Sequence, residues 1–309
     1  MSVRIGLGIS DFPFTDTSAF WRWVDLCEAT QIDSLWQTDR LISPEPFMES
    51  MSMMAALAGH TERLKFGMNV VVLPFRDPLV LAKECATIDF LSNGRLLPAF
   101  GVGGDAAPEW RATGRQPKGR GARSDEALDL MVRLWTEERV THRGNHFEYV
   151  DAAVQPKPVQ NPLPLWIGGS SPAAIRRTVR IGTGWLGGLQ SPADVTPIVA
   201  AIRDQSAAAG RPIDSDHYGA AFAYRLGAWD DAPVERLVSA FAKRPGVADA
   251  RSLIAVGGAD AVIERINEFR AAGISKFVLR PIAEHDDDLL NQTQRLVETV
   301  LPVVHGAAV

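Results

Sequence analysis

The chain has 309 residues, 46% of them hydrophobic and 22% charged, and a formal net charge of -5. That balance excludes an intrinsically disordered chain, and the scatter of the basic residues argues against a nucleic-acid partner. No apolar run approaches the ~20 residues a bilayer-spanning helix needs, so no membrane segment is expected.

Cys27 and Cys85 lie far apart in helix-like patterns, which argues against a disulfide framework and a zinc cluster. The first ten residues lack the apolar core and cleavage pattern of a signal peptide, so the expected compartment is the cytoplasm. Arg4 to Ser10 reads as a first strand, and Ser18 caps a helix running to about Thr30. Ser34 to Asp39 is a second strand and Phe47 to Gly59 a second helix. Leu64 to Leu73 is a β-branched third strand stopped by Pro74 and Pro78, and Leu79 to Leu91 is helical. Asn93-Gly94 turns the chain into a fourth strand, Arg95 to Val102, and Gly103 to Arg123 reads as a long loop. A helix follows from Ser124 to Thr136, with Asp125 and Glu126 in its first turn, and then a hairpin from Val140 to Val150.

The second half resumes the alternation. Strands are expected at Leu163 to Gly168, Trp185 to Leu189, Tyr218 to Leu226 and Phe277 to Ile282. Helices are expected at Pro172 to Ile181, Pro192 to Ala209, Pro233 to Phe241, Asp260 to Ala272 and Leu289 to Val300, with 242–256 irregular. This repetition means βαβ units around a parallel sheet. The fold class it predicts is α/β, a (β/α)8 TIM barrel with loop insertions, in one domain over residues 1–309. A doubly wound sheet is the rival, disfavoured by the even alternation through mid-chain.

A barrel gathers its chemistry at the C-terminal ends of its strands. Those positions are Asp11 and Phe12, Thr38-Asp39-Arg40, Asn69, Gly101 to Asp105, Gly168 to Ser171, Gln190, Tyr224-Arg225 and Arg280. Gly168-Gly169-Ser170-Ser171-Pro172 offers bare amides and hydroxyls at a helix start, which suits an anion; a plain turn with a serine cap is the competing reading. Arg123 supplies a cation for such an anion, or belongs to a solvated charge run. Gly101-Val102-Gly103-Gly104 leaves room for a flat ligand but lacks the dinucleotide spacing. Asp39-Arg40 reads as a site pair or as a local salt bridge. Apart from His142 and His146, which flank a hairpin turn and are expected to face solvent, the histidines show no metal spacing, and no nucleophile elbow is present. Little acid–base machinery beside a possible phosphate anchor suits a cofactor that carries the hard chemistry.

Many ordered segments resemble the bacterial luciferase-like monooxygenase superfamily. They include Asp33-Ser34-Leu35-Trp36 to Asp39, Thr61 to Gly67, Pro78 to Lys83, Asp89 to Arg95, Arg120 to Leu128, Leu134-Trp135-Thr136, Pro156-Lys157-Pro158, Leu165 to Arg176 and Gly182 to Trp185. The resemblance implies a barrel, commonly a homodimer, that binds FMN or the deazaflavin coenzyme F420 at its C-terminal mouth. The activity implied is oxidation or reduction of a small organic substrate. An FMN enzyme of this kind draws on a separate flavin reductase.

The resemblance also implies a non-proline cis peptide at Asn69-Val70 behind the cofactor ring. It places Gly101 and Gly103 near the ring or ribityl chain, and Gly168, Gly169, Ser170, Ser171 and Arg123 at the phosphate. Asp39 and Arg40 take the place where many deazaflavin relatives carry Asp-His. Arg40 cannot exchange a proton near neutral pH and would stabilise negative charge instead. The alternative is a non-flavin barrel hydrolase or lyase acting on a phosphorylated metabolite. A barrel without cofactor or activity is a third reading.

Overall fold

The computed structural model describes residues 3–9, 12–244, 246, 247 and 249–306. Ser10 and Asp11, named above at the end of the first strand, lie outside the described residues. The strands are β1 (Arg4–Ile9), β2 (Ser34–Gln37), β3 (Lys65–Met68), β4 (Val71–Val72), β5 (Leu96–Leu97), β6 (Ala99–Gly101), β7 (Val140–Arg143), β8 (Glu148–Ala152), β9 (Trp166–Gly168), β10 (Gly184–Leu189), β11 (Tyr218–Leu226), β12 (Ile254–Gly257) and β13 (Lys276–Pro281). The chain divides into two compact units, one of Met1–Trp36 with Trp185–Val309, the other of Gln37–Gly184.

In the first unit the strands run in the order β10-β11-β13-β1-β2, with β12 beside β11. The pairs β10·β11, β11·β12, β11·β13 and β1·β13 are all parallel. Parallel sheets bury both faces, and β1 and β11 accordingly read as near-continuous buried runs. Glycine is needed at Gly6, where a Cβ would meet the Ser34 hydroxyl at 2.4 Å. The last strand is tied back to residue 33: the Lys276 ammonium lies 2.6 Å from Asp33 Oδ2, both side chains almost fully buried.

In the second unit β3 pairs with β5, and β4, β6 and β9 form a parallel run. The expected third strand is interrupted. A cis peptide joins Asn69 to Val70, separating β3 from β4. The expected fourth strand is likewise split at Pro98, which has no N–H to give a ladder. The long loop holds a short helix, Glu109–Ala112, and the next helix spans Arg120–Thr136 rather than starting at Ser124. Its cap is Gly119 at φ 77°, a left-handed position suited to glycine, and Ser124 is buried one turn inside. The β12 strand, Ile254–Gly257, forms where the pattern read as irregular.

Candidate functional site

Every residue named above as a site candidate in the resemblance falls within 37–184, the second unit. The cis bond Asn69-Val70 sits between β3 and β4, where the resemblance placed it. Asn69 N donates to the Gln37 carbonyl at 2.8 Å, which brings the end of β2 alongside. Two buried polar atoms at this point have no hydrogen-bond partner among the described residues: Asn69 Nδ2, a donor, and Gln37 Oε1, an acceptor. Gln37 Nε2 donates to the carbonyls of Thr38 and Met48, so the orientation of the amide is held. Leaving such atoms unpaired costs ~1–3 kcal/mol each, and a ligand that pairs them recovers that.

Val70 explains two of the expected glycines. A Cβ on Gly101 would lie 2.6 Å from Val70 Cγ2, and one on Gly168 would lie 2.9 Å from Val70 Cγ1. The space over these glycines belongs to the valine side chain, and a flat ligand would meet the valine rather than a bare strand end. Gly103 has φ 70°, and a Cβ there would approach Val72 Cγ1 to 2.8 Å. Gly104 has open space around it.

Asp39 and Arg40 are drawn to different partners. Asp39 is buried; its carboxylate accepts from Val72 N at 3.0 Å, Ser50 Oγ at 2.8 Å and Arg76 Nη2 at 2.7 Å. Arg76 Nη2 also donates to Glu49 Oε1 at 2.7 Å. Burial alone would lower the Arg76 guanidinium, but the charges and hydrogen bonds of Asp39 and Glu49 together outweigh it and hold the group above its ordinary value. Glu49 is pushed up by burial, yet hydrogen bonds from Ser52, Arg76 and Met51 pull its carboxyl down to about 2. Asp39 therefore holds the backbone two residues past the cis bond.

Arg40 is half exposed, and its Nη1 lies 3.7 Å from Oε1 of Glu109. Glu109 is buried, and its second oxygen, Oε2, has no partner among the described residues. Reading strand ends alone missed this carboxylate, because it enters from the short helix inside the 103–123 loop. Its one local signal is the Pro108-Glu109 opening of a helix, where an acid is favourable.

Gly169 adopts φ 105° and Ser171 caps the helix Pro172–Ile181, its Oγ accepting from Ala174 N at 3.2 Å. Arg177 of that helix, itself buried, binds Asp125 of the helix Arg120–Thr136 at 2.7 Å. Arg123 lies in the first turn of the latter, with its guanidinium 4.6 Å from the Phe147 ring centroid. Glu126 fixes that ring's hairpin: it accepts from His146 N, Phe147 N and His142 Nε2. His142 is thus half-buried against a carboxylate, not turned to solvent as expected. Arg115, Lys118, Arg120, Arg123, Trp110 and His146 line a cavity of about 290 Å³. Trp110 donates to the Gly104 carbonyl and packs on Phe75 with ring centroids 4.4 Å apart. Trp36 is fully buried core with Nε1 on Ser34 Oγ.

The family model for luciferase-like monooxygenases matches residues 14–245. The chain belongs to the luciferase-like monooxygenase family. Among curated proteins it is 34% identical over 170 residues to an F420-dependent glucose-6-phosphate dehydrogenase of Amycolatopsis mediterranei, covering 52% of this chain and 50% of that one. The chain thus aligns with about half the length of such relatives. Among solved structures it resembles an F420-dependent secondary alcohol dehydrogenase in complex with an F420-acetone adduct, with TM-score 0.82, 19% identity, and coverage of 98% and 99%. It also resembles the FMN complex of the oxygenating constituent of 3,6-diketocamphane monooxygenase from Pseudomonas putida, with TM-score 0.78, 17% identity, and coverage of 97% and 98%. These likenesses establish the fold, the luciferase-like α/β barrel class read from the sequence. No helix among the described residues is long and apolar enough to cross a membrane.

Proposed function

We propose that the protein is an oxidoreductase that binds a flavin-type cofactor, FMN or coenzyme F420, at the Asn69-Val70 cis bond and oxidises or reduces a small organic substrate. The observation that carries this reading is the pair of buried, unpartnered atoms Asn69 Nδ2 and Gln37 Oε1. The pyrimidine edge common to FMN and F420 alternates carbonyl acceptors with an N–H donor, so it answers both atoms. Val70, seated against Gly101 and Gly168, would back the ring. Gly168 to Ser171 and Arg123 would hold the phosphate that both cofactors carry.

When bound, such a cofactor supplies two-electron chemistry, by hydride transfer for F420 or through O2 for reduced FMN. The rest falls to this chain's side chains. Asp39, held by Arg76 and Ser50, keeps the backbone after the cis bond in place. Glu109 Oε2 accepts a substrate O–H or N–H and holds its proton, with Arg40 offsetting the charge. F420 is the first choice, since the curated relatives above 30% identity include F420-dependent dehydrogenases. FMN with a separate flavin reductase is the second, on the likeness to an FMN-bound monooxygenase. A homodimer in the cytoplasm, acting on a small molecule, completes the proposal.

Calorimetric titration of the protein with FMN, reduced FMN and F420 tests it. Saturable binding of F420 or of reduced FMN is expected, weakened by roughly 1–3 kcal/mol in Arg123→Ala. If none of the three binds, the flavin reading fails and a non-flavin barrel enzyme takes its place.

A further inference from the structure

The cavity walled by Arg115, Lys118, Arg120 and Arg123 holds more positive charge than one phosphate requires. No Asp or Glu among the described residues lines it. Asp105, exposed, pairs with Arg120, and the Glu126 carboxylate stands behind the wall, accepting from His146 N. Arg115 Nη1 is spent on the Phe75 carbonyl at 2.9 Å, yet its charge is not neutralised there. Arg123 faces an aromatic ring, which offsets only part of a cation's solvation. Arg120 keeps a buried Nε with no partner among the described residues, and Lys118 has neither an ion pair nor a hydrogen bond among them. Like charges gathered in a concave wall repel one another and focus a positive field into the cavity. At about 290 Å³ the space is close to the lower end of small-ligand pockets, ~300–1,000 Å³.

We propose that this cavity is a polyanion site. It holds a ligand segment with two or more closely spaced carboxylates or phosphates, beyond the single phosphate assigned to Gly168 to Ser171. The inference deepens the proposed function and rests on it for the identity of the ligand. The shared chemistry has two sources: the glutamate tail of F420, which FMN lacks, or an acidic substrate. Trp110 links the cavity to the reaction site, since it lines this wall while its neighbour Glu109 lies beside Arg40.

The test compares wild type with Lys118→Glu and Arg120→Gln, each checked for an unchanged melting temperature. The probes are F420 bearing its oligoglutamate tail, the deazaflavin riboside as its 5′-phosphate, which keeps a phosphate but lacks the tail, and free tri-γ-glutamate. The expected result is that tailed F420 loses at least about tenfold in affinity in each variant, the scale of one lost charge-assisted contact, while the riboside binds all three proteins alike. Tri-γ-glutamate binding to wild type but not to the variants, with neither deazaflavin bound, would keep the polyanion site, assign it to an acidic substrate and overturn the F420 reading alone. Tailed F420 unaffected by both substitutions, or no polyanion binding to wild type, would overturn the proposal.

Discussion

The site is built from residues whose partners are not their chain neighbours. Asp39 and Arg40 are adjacent in sequence, but Asp39 turns inward to Arg76, Ser50 and Val72 N, and Arg40 outward toward Glu109. Val70 and its two glycines form a second such set. Gly101→Ala would put a methyl 2.6 Å from Val70 Cγ2. Overpacking of this kind costs ~1–3 kcal/mol, and trimming the valine should relieve it. Thermal unfolding of Gly101→Ala, Val70→Ala and the double variant measures the coupling. A double variant no more stable than the sum of the singles would show that the valine does not set the need for glycine. The strand ending at Gly101 was legible, but the reason for the glycine was not, because Val70 is thirty-one positions earlier in the chain.

Elements broke where backbone chemistry required it. The β-branched run Leu64 to Leu73 looked like one strand, and the cis bond divides it; nothing in side-chain periodicity marks a cis peptide before a valine. The helix Ser50–His60 begins where Glu49, with Oε1 and Oε2 accepting from Met51 N and Ser52 N, ties up two of its orphan donors. Because the Glu49 carboxyl lies at about 2 in the folded chain against 4.5 ordinarily, its contribution is complete above pH 4.5. It is lost as pH falls from there toward 2. Glu49→Gln should therefore cost roughly 0.5–2 kcal/mol at neutral pH, the worth of a helix cap, and nothing near pH 2. Denaturant unfolding of both proteins from pH 2 to 7 reads this directly. A cost that does not change with pH would mean the charge of Glu49 is not what holds the helix start.

At the scale of the molecule, long-range closure rests on a few buried charges as well as on apolar packing. Asp33 and Lys276 are 243 residues apart and meet at 2.6 Å within the first unit. Asp33→Ala leaves a buried ammonium without its near partner, which costs ~3–5 kcal/mol. A fall of several degrees in melting temperature is expected, and replacing both residues by apolar ones should restore much of it. No change in Asp33→Ala would mean that Lys276 finds water or another carboxylate. Membership of the family was readable in the sequence, because its motifs are local runs such as Asp89 to Arg95 and Leu165 to Arg176 whose order survives in the chain. The α/β class was readable for a similar reason, since strand and helix periods are properties of short windows. The candidate site was only half readable. Glycines, serines and the Asp39-Arg40 pair stand out at strand ends, whereas Glu109, Gln37 and Arg76 acquire meaning only through their neighbours in space. The sequence by itself determined the order of the elements and the kind of protein. The partners of each charge were decided by tertiary structure, because ion pairs, orphaned polar atoms and cavities arise between segments that no local pattern brings together.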